Sequence, residues 1–147
     1  MKFSGEFNVS IDLKGRVSIP ATFRDALRQT YQAESLIVTR KGAGLVAYPP
    51  EVWEEVCAKV DEIQDNSLKE TVWRARISPA QECNFNAQGR IQIPQSLRSS
   101  AGLEKDVVVI GMPGKIEIWN LQAHQEIIAK SEERLASDAQ VLADLGL

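Results

Sequence analysis

The chain carries one motif twice. DLKGRVSIPATFR runs from Asp12 to Arg24, and NAQGRIQIPQSLR runs from Asn86 to Arg98. Asp12 answers to Asn86, Gly15 to Gly89, Arg16 to Arg90, Pro20 to Pro94 and Arg24 to Arg98, each pair 74 positions apart (90 minus 16). A repeat restricts the fold before any single residue is interpreted, because each unit must bury its apolar face against its copy.

Each copy reads as the same string of elements. Phe7, Val9 and Ile11 alternate with Asn8, Ser10 and Asp12, which predicts a half-buried strand. Leu13-Lys14-Gly15 supplies a turn, and Arg16–Ile19 a second strand. Pro20 stops that strand and suits the start of a helix over about 21–29. Leu36–Thr39 and Gly44–Tyr48 follow as two strands, and Pro49-Pro50 opens a helix carrying Val52, Val56, Val60 and Ile63. Ser67 with Glu70 reads as a capping box for a short helix to about Ala75.

The second copy gives strands at Glu82–Asn86 and Arg90–Ile93, then a helix from Pro94 that Gly102 stops. Strands at Val107–Ile110 and Lys115–Trp119 follow after a shorter connection. From about Leu121 the chain is helical. Leu121, Ile128, Leu135 and Leu142 recur every seven residues, but Ser131 and Asp138 interrupt the seam, so an amphipathic arm is expected and not a long zipper.

Neither half has enough strands to close a sheet alone, and pairing the halves removes exposed edges. The expected architecture is α+β: two tandem β-β-α-β-β repeats forming a small pseudo-twofold β-barrel, with peripheral helices and a C-terminal helix. The units are expected at 1–76 and 77–147, folded as one compact body.

With 17 Lys and Arg against 20 Asp and Glu, the net charge is -3. That excludes a protein basic throughout, so any nucleic-acid binding must come from a local patch. No apolar run approaches the roughly 20 residues needed to span a bilayer, and the opening MKFSGEFNVS does not read as a signal peptide. Cys57 and Cys83 lack CxxC spacing and read as reduced thiols of a cytosolic protein, packed as small core residues, with a disulfide as the rival reading.

His124 stands beside glutamines, away from any ligand partner, and reads as a surface or interface residue. Trp53 and Trp73 are expected to pack helices on the barrel, and Trp119 to serve core or interface. Phosphate-loop, nucleophile-elbow and metal signatures are all missing, so no catalytic residue, cofactor or metal is expected and an enzyme is disfavoured.

The chemistry lies in Asp-x-x-Gly-Arg. An Asp at a turn accepts bonds from amides two residues on, Gly sharpens the reversal, and Arg emerges past the tip with a planar fork suited to phosphate or guanine edges. Lys14 stands at the tip itself. Lys14, Arg16, Arg24 and Arg28 form the candidate basic cluster, with Lys2 nearby; Asp12, Gly15, Asn86, Gly89 and Arg90 form the turns and interface. The competing reading is that the arginines merely pair with carboxylates, hold turns and bridge subunits. The second tip has Asn86 and Gln88 where the first has Asp12 and Lys14. The first is therefore expected to carry the binding chemistry, and the second to act as scaffold, with Arg90 held by neutral partners.

The opening FSGEFNVSIDLKGRVSIPATFR, the later NAQGRIQIPQSLRSSAGLEKDVVVIG and KIEIWN near the end resemble the MraZ family of bacterial transcriptional regulators, whose half-unit is an AbrB-like swapped hairpin. The resemblance spans nearly the whole chain. The family's paired Asp-x-x-x-Arg signature falls intact on Asp12 and Arg16, while in the second copy Asn86 replaces the acid. The resemblance implies a cytoplasmic, nucleoid-associated regulator, most simply a repressor. It implies an octamer-like ring of identical subunits on short direct repeats of double-stranded DNA, upstream of the division and cell-wall gene cluster and in its own promoter. It also implies DNA contacts by Lys14 and Arg16. The alternative is an antitoxin-like or structural protein-interaction module with no direct DNA contact.

Overall fold

A computed structural model gives the architecture for residues 3–147; Lys2, placed near the basic cluster by the sequence, lies outside the described residues. The first unit runs β1 (Glu6–Ser10), β2 (Arg16–Ser18), α1 (Ala21–Tyr31), β3 (Ser35–Lys41) and β4 (Gly44–Tyr48). Next come α2 (Pro50–Asp61), α3 (Asn66–Val72) and a π-helical turn over Trp73–Ile77. The second unit has β5 (Gln81–Asn84), β6 (Arg90–Gln92), α4 (Gln95–Ala101), β7 (Asp106–Met112) and β8 (Lys115–Asn120), followed by α5 (Leu121–Ser137) and α6 (Ala139–Leu145).

Six strands form one antiparallel sheet in the order β1-β7-β8-β4-β3-β5, and β2 pairs with β6 in a separate ribbon. The order reads the same when the units are exchanged. Each unit's first strand crosses to the other unit: β1 lies on β7 and β5 on β3. The ribbon centres on Val17 opposite Ile91, and the middle of the sheet on Val46 opposite Glu117. The first pair keeps the 74-residue offset of the motif, while the second is 71 apart (117 minus 46) because α4 has 7 residues where α1 has 11, and the link after it is only one residue longer.

The expected closed barrel is not what forms. The edge strands β1 and β5 each have one neighbour in the large sheet, and β2 and β6 turn away to pair with each other. A single bridge, Ile11 to Val17, links β1's end to the ribbon. The result is an open sheet topped by a ribbon.

The core lies between them. Strands alternate their side chains between faces, and the inner face supplies Leu36, Val38, Leu45, Ala47, Val107, Val109, Ile116 and Ile118. Val17, Ile19, Ile91 and Ile93 come down from the ribbon, with Phe23 and Leu27 from α1 and Leu97 and Ala101 from α4. Full burial of each larger apolar side chain contributes roughly 1.5–3 kcal/mol. Phe23 also takes Phe3 and Phe7 edge-on at centroid distances of 5.8 and 5.4 Å.

On the outer face, α2 covers β3 and β4, and α5 lies on β7 and β8. Trp119 is buried against Gly44, and its Nε1 donates to Glu117 Oε1 at 2.9 Å. Lys41 Nζ stands 3.4 Å from the other oxygen of this buried glutamate.

Several local expectations change. Asp65, not Ser67, caps α3, accepting from the Leu68 amide at 3.1 Å. The chain then continues through the π-turn, where the Ser78 amide reaches Trp73 O at 2.8 Å. Trp53 packs near Tyr48 as expected, but Trp73 is exposed. Cys83 is buried and Cys57 half-buried, and both are free thiols. The C-terminal helix breaks at Asp138. Ile127, Ile128, Val141 and Leu145 stay exposed, so the arm leaves much of its apolar surface uncovered.

Candidate nucleic-acid interface

Both repeated turns are built alike. Asp12 Oδ1 accepts from the amides of Lys14 at 3.0 Å and Arg16 at 2.8 Å, and Asn86 Oδ1 accepts from those of Gln88 at 3.0 Å and Arg90 at 2.9 Å. The Gly15 amide closes back on Asp12 O, and the Gly89 amide on Asn86 O, each at 3.0 Å. The two glycines take φ of +82° and +74°, in the left-handed region where a Cβ is strained. An amide side chain therefore builds this turn as well as an acid does.

The acid differs from the amide in its second oxygen. Asp12 Oδ2 binds Arg16 Nε at 2.6 Å and lies 3.6 Å from Arg90 Nη1. One carboxylate thus gathers the arginines of both tips. The Arg16 amide, the Arg16 guanidinium and the Lys14 amide hold the Asp12 carboxyl below its ordinary pKa, outweighing its partial desolvation.

Two expectations about these arginines need correction. Arg16 does not simply emerge past the tip, because Asp12 holds its Nε and it is only about a third exposed (35%). The cause is the four-residue spacing across a tight turn, which places the fork beside its own acid. Its two terminal nitrogens form no hydrogen bond among the described residues. Arg90 is not held by neutral partners; its ion pair is with Asp12 of the other unit.

The tips are cross-braced. Ile93 donates its amide to Gly15 O at 2.8 Å, and Ile19 donates to Gly89 O at 3.2 Å. Gln92 Nε2 donates to Lys14 O at 2.8 Å. Arg98 lays its guanidinium over Gly15, where a Cβ would stand 2.6 Å from Cζ and 2.7 Å from Nε. Arg24 does the same over Gly89, where a Cβ would stand 2.6 Å from Nε and 2.8 Å from Nη1.

The four candidate cations therefore sit in different settings. Lys14 is exposed at the first tip, with no ion pair among the described residues. Arg16 emerges beside it. Arg24 is half-buried, donates to Ile19 O at 3.0 Å and packs on the second turn. Arg28 is exposed on α1 but lies 3.1 Å from Glu34 and 3.4 Å from Asp25. The structure brings Lys14, Arg16 and Arg90 together around Asp12, and gives Arg24 and Arg28 other partners. Sequence reasoning missed Arg98 and Gln92. The signal for Arg98 was its alignment with Arg24, but the crossing of the units that gives both residues their work is not a local pattern.

A family model described as "MraZ protein, putative antitoxin-like" matches residues 2–74 and again 77–145. The chain belongs to the MraZ family. It is 46% identical over 149 residues to the protein named Transcriptional regulator MraZ of Syntrophotalea carbinolica, covering 99% of each chain. Proteins of that name from Pediococcus pentosaceus (38% identical) and Geotalea uraniireducens (34%) also match over 99% of each chain. Among the described residues there is no group of three metal-ligating side chains, and no helix is long and apolar enough to cross a membrane.

Proposed function

We propose that this chain is a DNA-binding transcriptional regulator, acting as a repressor of the division and cell-wall gene cluster that includes its own promoter. The observation that carries the reading is the first tip. A turn pinned by Asp12 carries the exposed Lys14 and, two residues on, Arg16, whose terminal nitrogens make no hydrogen bond among the described residues, on a chain whose relatives are named transcriptional regulators.

In this reading Arg16 contacts base edges or phosphates in the groove and Lys14 contacts phosphates. Arg24 and Arg28 are lesser contributors, since other groups already hold them. An overall charge of -3 makes one tip a weak binder. A ring of subunits resolves this, because linked tips on successive direct repeats gain roughly a hundredfold or more in avidity. The repeats would lie about one helical turn apart, on the same face of the duplex.

Mobility shifts on the upstream direct repeats, run beside sizing of the assembly, test this. Arg16→Ala should abolish specific binding and leave the assembly intact. Wild-type binding should weaken steeply with salt as phosphate contacts release counterions; a flat salt response would remove the phosphate contacts from the account. The second reading, a protein-interaction module, draws on the tie of both Arg16 and Arg90 to Asp12. It predicts that Arg16→Ala breaks the assembly and that the wild type shifts no duplex.

A further inference from the structure

We propose that Arg98, which belongs to the second unit, is a positioning residue for DNA recognition by the first tip. The inference rests on the reading of Lys14 and Arg16 as the DNA-contacting pair, and assigns what makes that pair rigid. The guanidinium of Arg98 covers the positive-φ peptide of Gly15. From the same unit, Gln92 Nε2 holds Lys14 O, the Ile93 amide holds Gly15 O, and Arg90 reaches Asp12. The backbone of the first tip is thus fixed from within by Asp12 and from across the molecule by four neighbours.

Arg98 is badly placed to bind phosphate itself. It is half-buried, its Nε is shut off from solvent, and its Nη2 donates to Gln95 Oε1 at 2.7 Å. A planar group stacked on a glycine turn acts as a lid that excludes other backbone conformations. A turn held this way has little conformational entropy left to lose on binding. The arrangement also gives the second copy work that its own weaker tip does not do. Gln88 and Asn86 have replaced the cation and the acid there, yet the copy keeps Arg90, Gln92 and Arg98, all aimed at its partner.

The test compares wild type, Arg98→Lys and Gln92→Met by fluorescence anisotropy, on a duplex carrying the upstream direct repeats, at several salt concentrations. Amide exchange at Lys14, Gly15 and Arg16 is followed in parallel. Arg98→Lys keeps the charge and loses the plane; Gln92→Met removes one bond from an exposed side chain and leaves the core alone. Each variant should bind about five- to tenfold more weakly, the loss expected from two side chains that must now be ordered on binding. The salt slope should not change, and exchange at the tip amides should quicken.

If Arg98→Lys binds as wild type does, charge alone matters and the proposal falls. In Arg98→Gln, which removes the charge, a salt slope lower by about one would make Arg98 a direct phosphate contact, which also overturns it. Should Arg98→Lys fail to fold, Gln92→Met decides by the same readings. Wild-type protein that ignores the duplex would sink the DNA reading; the exchange rates would still report whether Arg98 holds the tip.

Discussion

Replacing Gly15 with alanine should cost more than the same change at Gly102, by an amount set by Arg98. Both glycines lie in the left-handed region, at φ +82° and +61°. Alanine there costs about 1–2 kcal/mol at either site. At Gly102 no heavy atom lies within 4 Å of the new methyl, so the cost stops there. At Gly15 the methyl takes the space of the Arg98 guanidinium. That group ends a flexible chain and can swing away, so the clash itself is escaped. The loss is its packing on the turn and its hydrogen bond to Gln95, about 1 kcal/mol more. In a chain of this size 1 kcal/mol moves Tm by roughly 2–4 °C. Gly15→Ala should then melt about 2–4 °C below Gly102→Ala, at matched concentration because self-association shifts Tm. In an Arg98→Ala background the gap should vanish. A gap that persists without Arg98, or never appears with it, refutes the packing argument.

Three further outcomes follow from particular groups. Asp12→Asn should keep its turn, as Asn86 does, and lose only the second oxygen's hold on Arg16 and Arg90. Because the Asp12 carboxyl titrates low in the fold, its contribution is complete above the ordinary Asp value of about 3.9 and fades as pH falls through its lowered folded pKa; melts of wild type and variant should differ above that range and converge as pH falls through it. Burial pushes the Cys83 thiol up to about 11, so a thiol reagent at pH 8 should label half-buried Cys57 first and Cys83 only on unfolding. That shift also lowers stability as pH rises above the unfolded thiol's value. Trp119→Phe strands the buried Glu117 Oε1 without its donor and should cost about 1–3 kcal/mol by urea unfolding.

The two turns were readable because their chemistry is local: an Asx side chain, a glycine, then a proline two residues after the strand. The ends of β4 were readable for the same reason, since Gly44 and Pro49 bound the run. Pairing was not. Any two exposed edges satisfy the demand that edges be covered, and nothing in the local pattern says that β1 prefers β7 to its own unit's β3. The barrel expectation failed at that step: it assumed that all strands close one sheet, whereas β2 and β6 pair apart. At the site, spacing showed that Arg16 would be near Asp12 but not how far the pair would quench it, which depends on a 2.6 Å contact. Glu117 went unremarked because a lone acid on an apolar strand looks solvated until α2 and α5 cover the sheet's outer face.

Divergence between the copies gains a physical meaning from this crossing. A turn of this shape asks for one side-chain oxygen, and Asn86 supplies it. The first copy's acid therefore answers a different demand, the ordering of two guanidiniums by the oxygen an amide lacks. Only one such acid is needed, because Arg90 comes across to share it. The same crossing means that the first unit is not a part that works alone. Residues 1–76 taken by themselves would leave β1 without β7, β2 without β6 and β4 without β8. They would also leave Gly15 without Arg98. The first tip thus owes part of its shape to residues of the other copy, Arg90, Gln92, Ile93 and Arg98.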